Sequence, residues 1–204
     1  GVASAQTSVN PSDAGYISDS GVKELQGPTG NFFSGRTNGG IEYRGYLTYS
    51  VPASATPFSS AVLNLNVRDV VAGPNDLLIS DVTSNIATAP GTTVFADLGG
   101  GVSYGTVTGI NTTNATLQIT LNPAGLAAVN AARGGSVSFG FRNTTVESTN
   151  DQIFGTSGGS TPRELVLTVG PSAVPTLSEW AMILFGLILA GGAALFVQRR
   201  RQTV

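Results

Sequence analysis

Apolar and polar residues alternate along several short stretches of this chain. One face of Ala61–Arg68 is apolar and carries Ala61, Leu63, Leu65 and Val67. A period of two with one polar face is the pattern of a half-buried β-strand. Similar alternation predicts further strands over Ile41–Val51, Leu77–Val82, Thr116–Leu121, Ser136–Arg142 and Glu164–Val169, and less regular alternation predicts strands over Thr92–Phe95 and Val102–Val107.

One soluble helix is predicted between two of these strands. Asn122 is a good N-cap, Pro123 suits the first helical position, Ala124–Ala132 is rich in alanine, and Gly134 ends the helix. Residues Thr7–Gly40 look rich in loops. Many short strands separated by turn residues, without a repeat period, predict an antiparallel β-sandwich over residues 7–169.

The C-terminal region contains a long apolar run. Ala181–Val197 holds no charged side chain, and Trp180 extends the run to 18 residues, the lower limit for a bilayer-spanning helix. Positive charge beside a span marks its cytoplasmic end, and the charge here comes from Arg199, Arg200 and Arg201. We predict a single transmembrane helix over 180–198 in contact with membrane lipid, a cytoplasmic tail over 199–204, and all preceding residues outside the cytoplasm. A buried core helix is the alternative, but the segment has no polar face.

A short motif leads into the apolar run. All of it except its last residue, Trp180, lies in a predicted linker over 170–179. The motif reads Val174-Pro175-Thr176-Leu177-Ser178-Glu179-Trp180. With the span and the arginine cluster, it resembles the IPTL-CTERM sorting signal of Gram-negative bacteria, which has an Ile/Val-Pro-Thr-Leu-Ser-Glu-Trp motif, a transmembrane helix and an Arg-rich end. The resemblance implies that an exosortase-type membrane protease processes the chain and that the domain then reaches the cell surface or extracellular matrix.

Four stretches of the domain resemble DNRLRE-type jelly-roll modules of secreted bacterial proteins. They are Arg44–Pro52, Ser60–Val67, Leu121–Gly135 and Arg163–Val169. The resemblance implies a jelly-roll-like sandwich related to carbohydrate-binding modules, without specifying a ligand. At the other end of the chain, Ala3-Ser4-Ala5 matches the A-x-A pattern of a signal-peptide cleavage site, so residues 1–6 are interpreted as a signal remnant.

The amino-acid composition excludes several kinds of catalytic and binding site. The chain has no cysteine and no histidine, which excludes disulfides, Ser-His-Asp and Cys-His catalysis, and the usual zinc sites. Of its 12 acidic and 10 basic residues, Glu179 and Arg199–Arg201 lie in the tail, so residues 1–173 hold 11 against 7, a net charge of −4. The domain shows no basic stripe, so nucleic acid is not an expected partner.

The sequence offers candidate residues for three kinds of binding or catalytic site. Calcium prefers oxygen ligands from flexible loops, and the candidates are Asp13, Asp19, Asp76 and Asp151; solvated loop acids are the alternative. Sugar contacts would use exposed aromatic rings, and the candidates are Tyr16, Tyr46 and Tyr104; packing under loops is the alternative. Glycosidase chemistry needs paired carboxylates, but no motif sets such a pairing among Glu42, Asp69, Asp76, Asp81, Asp97, Asp151 and Glu164.

The sequence therefore predicts a non-enzymatic, exported protein. The first hypothesis is a structural or adhesive protein of the cell envelope or matrix that associates with itself. The second is a carbohydrate-binding module for exopolysaccharide. The third is a glycan-active enzyme.

Overall fold

The computed structural model describes residues 5–145, 152–154, 163–170 and 181–191. The chain divides into two compact units, Gly1–Gly170 and Pro171–Val204. The predicted sorting motif over 174–180, Arg199–Arg201 and the remainder of the predicted span lie outside the described residues, as does Asp151.

Among the described residues, the smaller of two antiparallel sheets has four strands. Their order across the sheet is β1, β13, β6, β10. The strands are β1 (Gln6–Val9), β6 (Phe58–Val67), β10 (Ala115–Thr120) and β13 (Arg163–Val169). Central strand β6 pairs Leu63 with Leu165 on one side and with Ile119 on the other, so three apolar side chains form one row across the sheet.

The larger antiparallel sheet has nine strands within the part of the chain that the structure describes. Its main path runs β7, β12, β4, β5, β11, β8, β9, and β2 pairs with both β5 and β3. The strands are β2 (Pro11–Ser18), β3 (Lys23–Leu25), β4 (Phe33–Arg36), β5 (Glu42–Ser50), β7 (Asp69–Val71), β8 (Asn75–Asp81), β9 (Ser103–Ile110), β11 (Ser136–Asn143) and β12 (Gln152–Phe154).

Both sheets contribute to one hydrophobic core. Leu63 and Leu65 of the small sheet and Leu47, Phe139 and Phe141 of the large sheet belong to the same buried cluster, each fully shielded from solvent. The predicted inward faces of these strands are confirmed. Two antiparallel sheets around a shared core are consistent with the predicted β-sandwich, and the jelly-roll assignment stays a prediction.

The predicted soluble helix is α2 (Pro123–Ala131). The Asn122 side chain accepts a hydrogen bond from the backbone N–H of Gly125 at 3.0 Å, which is the N-cap contact that the sequence indicates. Val129 is fully buried and packs α2 against the shared core.

Two predictions of secondary structure were wrong. Residues 7–40 contain strands β1 to β4 rather than mainly loops, because these strands pair with distant strands such as β13 and β5. Residues 92–95 belong to a second helix, α1 (Gly91–Asp97), and not to a strand. Thr92 and Thr93 favour strands locally, but Val94 and Leu98 lie one helical turn apart and both are fully buried. Tertiary burial therefore outweighs the local preference.

Helix α1 covers part of the outer face of the large sheet. Val94 and Leu98 form a second small cluster there with Ile17 and Tyr46. Gly140 of β11 permits the close approach, since a Cβ at this position would lie 2.8 Å from the Leu98 carbonyl oxygen. The large sheet thus buries apolar side chains on both faces.

Candidate functional site

Tyr46 lies beneath α1. The prediction that it points away from the shared core is confirmed, but its exposed fraction is 0%, so the predicted sugar contact at Tyr46 is wrong. Its hydroxyl donates to Oδ2 of Asp13 at 3.2 Å. Burial, followed by the nearby Asp13 carboxylate, raises the pKa of Tyr46 well above its usual value. Tyr46 is therefore a neutral packing residue.

Of the two other predicted sugar contacts, only Tyr16 has a partly exposed side chain. Tyr104 is 8% exposed and packs edge-on against Phe139, with 6.0 Å between ring centroids, so its use as a sugar platform is also wrong. Tyr16 lies 5.6 Å from both Phe33 and Tyr43 in edge-to-face contacts. Phe33 and Tyr43 are 4.9 Å apart. Sequence reasoning missed this three-ring cluster because its rings come from three strands.

Three of the predicted calcium ligands, Asp13, Asp19 and Asp76, form hydrogen bonds with other parts of the chain. Asp13 and Asp76 lie on strands β2 and β8 rather than in loops. The Asp76 carboxylate accepts the Gly109 N–H at 2.8 Å, and the Asp19 carboxylate accepts the Glu42 N–H at 3.2 Å. Within the described ranges, no three potential metal-ligating residues come together as a cation site.

Several of the carboxylates considered for glycosidase chemistry take part in contacts within the fold. Glu42 lies 3.1 Å from Nε of Arg44, and Glu164 accepts the Ser8 hydroxyl at 2.7 Å. Asp97 accepts the backbone N–H groups of Thr83 at 2.8 Å and Ser84 at 2.6 Å. These contacts give the three carboxylates a structural role that does not require catalysis.

Acid is expected to weaken the contact between Asp97 and residues 83–84. Burial opposes ionisation of Asp97, but hydrogen bonds from Ser84 and Thr83 outweigh it and lower its pKa. Because the pKa is lower in the folded state than in the unfolded state, this contribution is complete above about pH 4 and is lost as the pH falls through the folded value. Urea unfolding of the wild type and Asp97→Asn between pH 7 and pH 2 should show a stability difference that shrinks in acid. A pH-independent difference would contradict this assignment.

Three arginines that sequence reasoning did not single out come together on the large sheet. Because β2 lies along one edge of β5 and pairs with Tyr43, strands β11 and β4 must share the other edge. In this arrangement Arg36 pairs with Glu42, and Arg142 follows the last paired residue of β11 and lies close enough to Arg44 for the two charges to interact. Arg44 and Arg142 lie in predicted strands, but Arg36 lies in a region predicted to be rich in loops, and the order of the strands could not be predicted. We call Arg36, Arg44 and Arg142 the arginine cluster.

In the second unit, residues 181–191 form a helix, α3, that is apolar on all sides. Its large exposed side chains are Met182, Ile183, Leu184, Phe185, Leu187, Ile188 and Leu189. Among the parts of the chain that the structure describes, no helix meets the length and apolarity needed to cross a membrane.

The family comparison agrees with the motif that precedes this helix. Residues 172–201 match the IPTL-CTERM motif. The chain carries an IPTL-CTERM sorting signal. This signal indicates an exported protein of the cell surface. The match covers the predicted motif over 174–180, α3 and the three terminal arginines, so the C-terminal resemblance is confirmed.

No curated protein matches the chain. The part of the molecule that precedes the IPTL-CTERM signal must therefore be interpreted from its own contacts, including the three-ring cluster and the arginine cluster.

Proposed function

We propose that this chain is a surface-sorted structural or adhesive protein whose β-rich domain is a non-catalytic cargo. The IPTL-CTERM match over residues 172–201 carries the proposal. In this scheme residues 180–198 enter the membrane, Arg199–Arg201 remain in the cytoplasm, and a membrane protease of the exosortase type processes the signal. The apolar side chains exposed on α3 support the membrane step, since such a surface is stable in lipid and costly in water.

Processing is expected to remove the apolar helix from the mature protein. Intact-mass measurement of protein released from the cell surface should give a species that lacks the span and Arg199–Arg201. As a matched control, a variant with Pro175, Thr176 and Leu177 all replaced by alanine should stay unprocessed and remain in the membrane fraction. Mature surface protein that always retains Arg199–Arg201 would mean that the segment is a permanent anchor.

Self-association of the displayed domain is supported by edge strand β10. Among the described strands it pairs only with β6, and the register of that pairing is unbroken. Ala115–Thr120 contains no charge and no proline, the usual features that protect an edge strand from pairing with another chain. Edge strand β9, by contrast, pairs with β8 through two irregularities in register. A second copy of β10 is the partner that this uncharged edge would accept.

Gln118→Lys is expected to reduce assembly without unfolding the domain. Gln118 is an exposed residue of β10, and two copies paired edge to edge would bring the added charges close together. Light scattering and electron microscopy should show fewer assemblies than for the wild type. Thr93→Lys, which adds the same charge on the exposed surface of α1, is the matched control. Equal loss of assembly in both variants would exclude the β10 edge.

Carbohydrate binding is the alternative function. The specific observation in its favour is the partly exposed Tyr16 ring within the three-ring cluster, since aromatic faces are suitable surfaces for sugar rings. A glycan array separates the two functions. If the protein binds no sugar on the array but forms assemblies that are visible by electron microscopy, the carbohydrate-binding function is excluded and the structural role is supported.

A further inference from the structure

The arginine cluster has fewer carboxylates than cations. Oε1 of Glu42 lies 3.1 Å from Nε of Arg44, and Oε2 lies 3.7 Å from Nη2 of Arg36, so one carboxylate sits between two guanidinium groups. These are the two ion pairs found among the described residues. Arg142, beside Arg44, has no carboxylate partner within the described part of the chain.

Arg44 is held rigidly in the middle of the cluster. Its Nη1 donates to the Phe95 carbonyl at 2.9 Å, and its guanidinium carbon lies 4.1 Å from the centre of the Phe95 ring. Helix α1 therefore fixes the position of this charge. A fixed guanidinium loses little conformational entropy when it receives a further ligand.

The two outer arginines form few hydrogen bonds within the described part of the chain. Arg142 donates from Nη1 to the Gly99 carbonyl at 3.5 Å, at the long limit for a hydrogen bond. The Nε atoms of Arg36 and Arg142 are buried and have no acceptor among the described residues. The Arg36 side chain is 38% exposed, so this end of the cluster is open to a ligand.

The local charge also favours an anion. Burial lowers the pKa of Arg44, Glu42 opposes that shift, and the neighbouring Arg142 adds to it. The Asp19 carboxylate accepts the Glu42 N–H, so among the described residues Glu42 is the carboxylate that is paired with the arginines. The cluster is thus positive within a domain whose sequence is negative overall.

We propose that the arginine cluster binds carboxylate groups of an acidic polysaccharide. Glu42 already shows that a carboxylate fits between two of these guanidinium groups, whose planar donors match the two oxygens of a carboxylate. Partly exposed ion pairs are individually weak, so a polymer with repeated carboxylates binds much better than one carboxylate does. The choice of a polysaccharide rests on the proposed display at the cell surface, whereas the anion site itself does not.

Full-length protein in detergent micelles, titrated calorimetrically with polygalacturonate, tests this proposal. Polygalacturonate should bind, and the same polymer with its carboxylates methyl-esterified should not. Arg36→Gln and Arg142→Gln should each weaken binding by about three- to tenfold. Arg68→Gln removes the same charge at an exposed site outside the cluster and should bind as the wild type does. Unchanged thermal melting would show that the variants are folded.

Several results would overturn the proposal. If the esterified polymer binds as tightly as polygalacturonate, the site does not recognise carboxylates. If Arg68→Gln weakens binding as much as Arg36→Gln and Arg142→Gln do, the effect comes from the net charge of the protein and not from the arginine cluster. Free galacturonate that binds as tightly as the polymer, per carboxylate, would exclude a polysaccharide as the ligand. Because this assay uses purified protein, a failure here leaves surface sorting intact, and a failure of sorting in cells leaves the measured anion site intact.

Discussion

Replacing Leu63 by alanine is expected to lower the free energy of unfolding by about 2–5 kcal/mol. Leu63 lies on β6, the strand that joins both halves of the small sheet, and its side chain is fully buried. It is the middle residue of the row Leu165, Leu63 and Ile119. Truncation removes apolar burial and leaves a cavity that two paired strands cannot easily close.

The adjacent residue Val62 provides the matched control. Val62 is half-buried on the opposite face of β6, so Val62→Ala should cost less than about 1 kcal/mol, because it deletes fewer buried groups and opens no enclosed cavity. Denaturant unfolding of both variants measures the difference. Equal losses would mean that the outer face of the small sheet is also covered.

Replacing Arg163 by leucine is expected to lower the free energy of unfolding by about 1.5–3 kcal/mol. Arg163 is only 4% exposed, and its guanidinium donates to the carbonyls of Gly30 and Pro28, the latter at 3.1 Å. Burial lowers its pKa, and Tyr49 opposes that shift. Leucine would fill part of the volume but would leave both carbonyls without their donors.

Arg68→Leu is the control for Arg163→Leu. Arg68 is exposed, so its loss should change the free energy of unfolding by no more than about 0.5 kcal/mol. Hydrogen exchange can show whether residues 26–32 open first in Arg163→Leu. A variant as stable as the wild type would mean that solvent replaces the guanidinium donors at Gly30 and Pro28.

The strongly periodic elements were predictable, because their pattern directly reports which face is buried. The inward residues of β6, β11 and β13 are buried or packed against the shared core as expected, and Asn122 caps α2 as its capping signal indicates. Strands β1 to β4 were not predictable, because short strands gain their stability from partners far away in the sequence.

The candidate sites also divide into features that the sequence reveals and features that only the structure shows. The IPTL-CTERM signal is one contiguous segment, so its motif, apolar run and arginines could be recognised directly. The outward direction of Tyr46 followed from strand parity, but parity does not reveal that α1 covers this face. The three-ring cluster depends on contacts between separate strands. The arginine cluster depends on β11 and β4 pairing with successive parts of the same edge of β5.

The sequence by itself determined the presence of the IPTL-CTERM sorting signal, the main strands of the core and the start of α2. These features depend on local order along the chain: a motif, a period of two and a capping residue. Only the tertiary structure decided that residues 91–97 are helical, that Tyr46 and Tyr104 are buried, and that Arg36, Arg44 and Arg142 meet. Those outcomes depend on which distant segments pair and pack, because burial is a property of the assembled sheets.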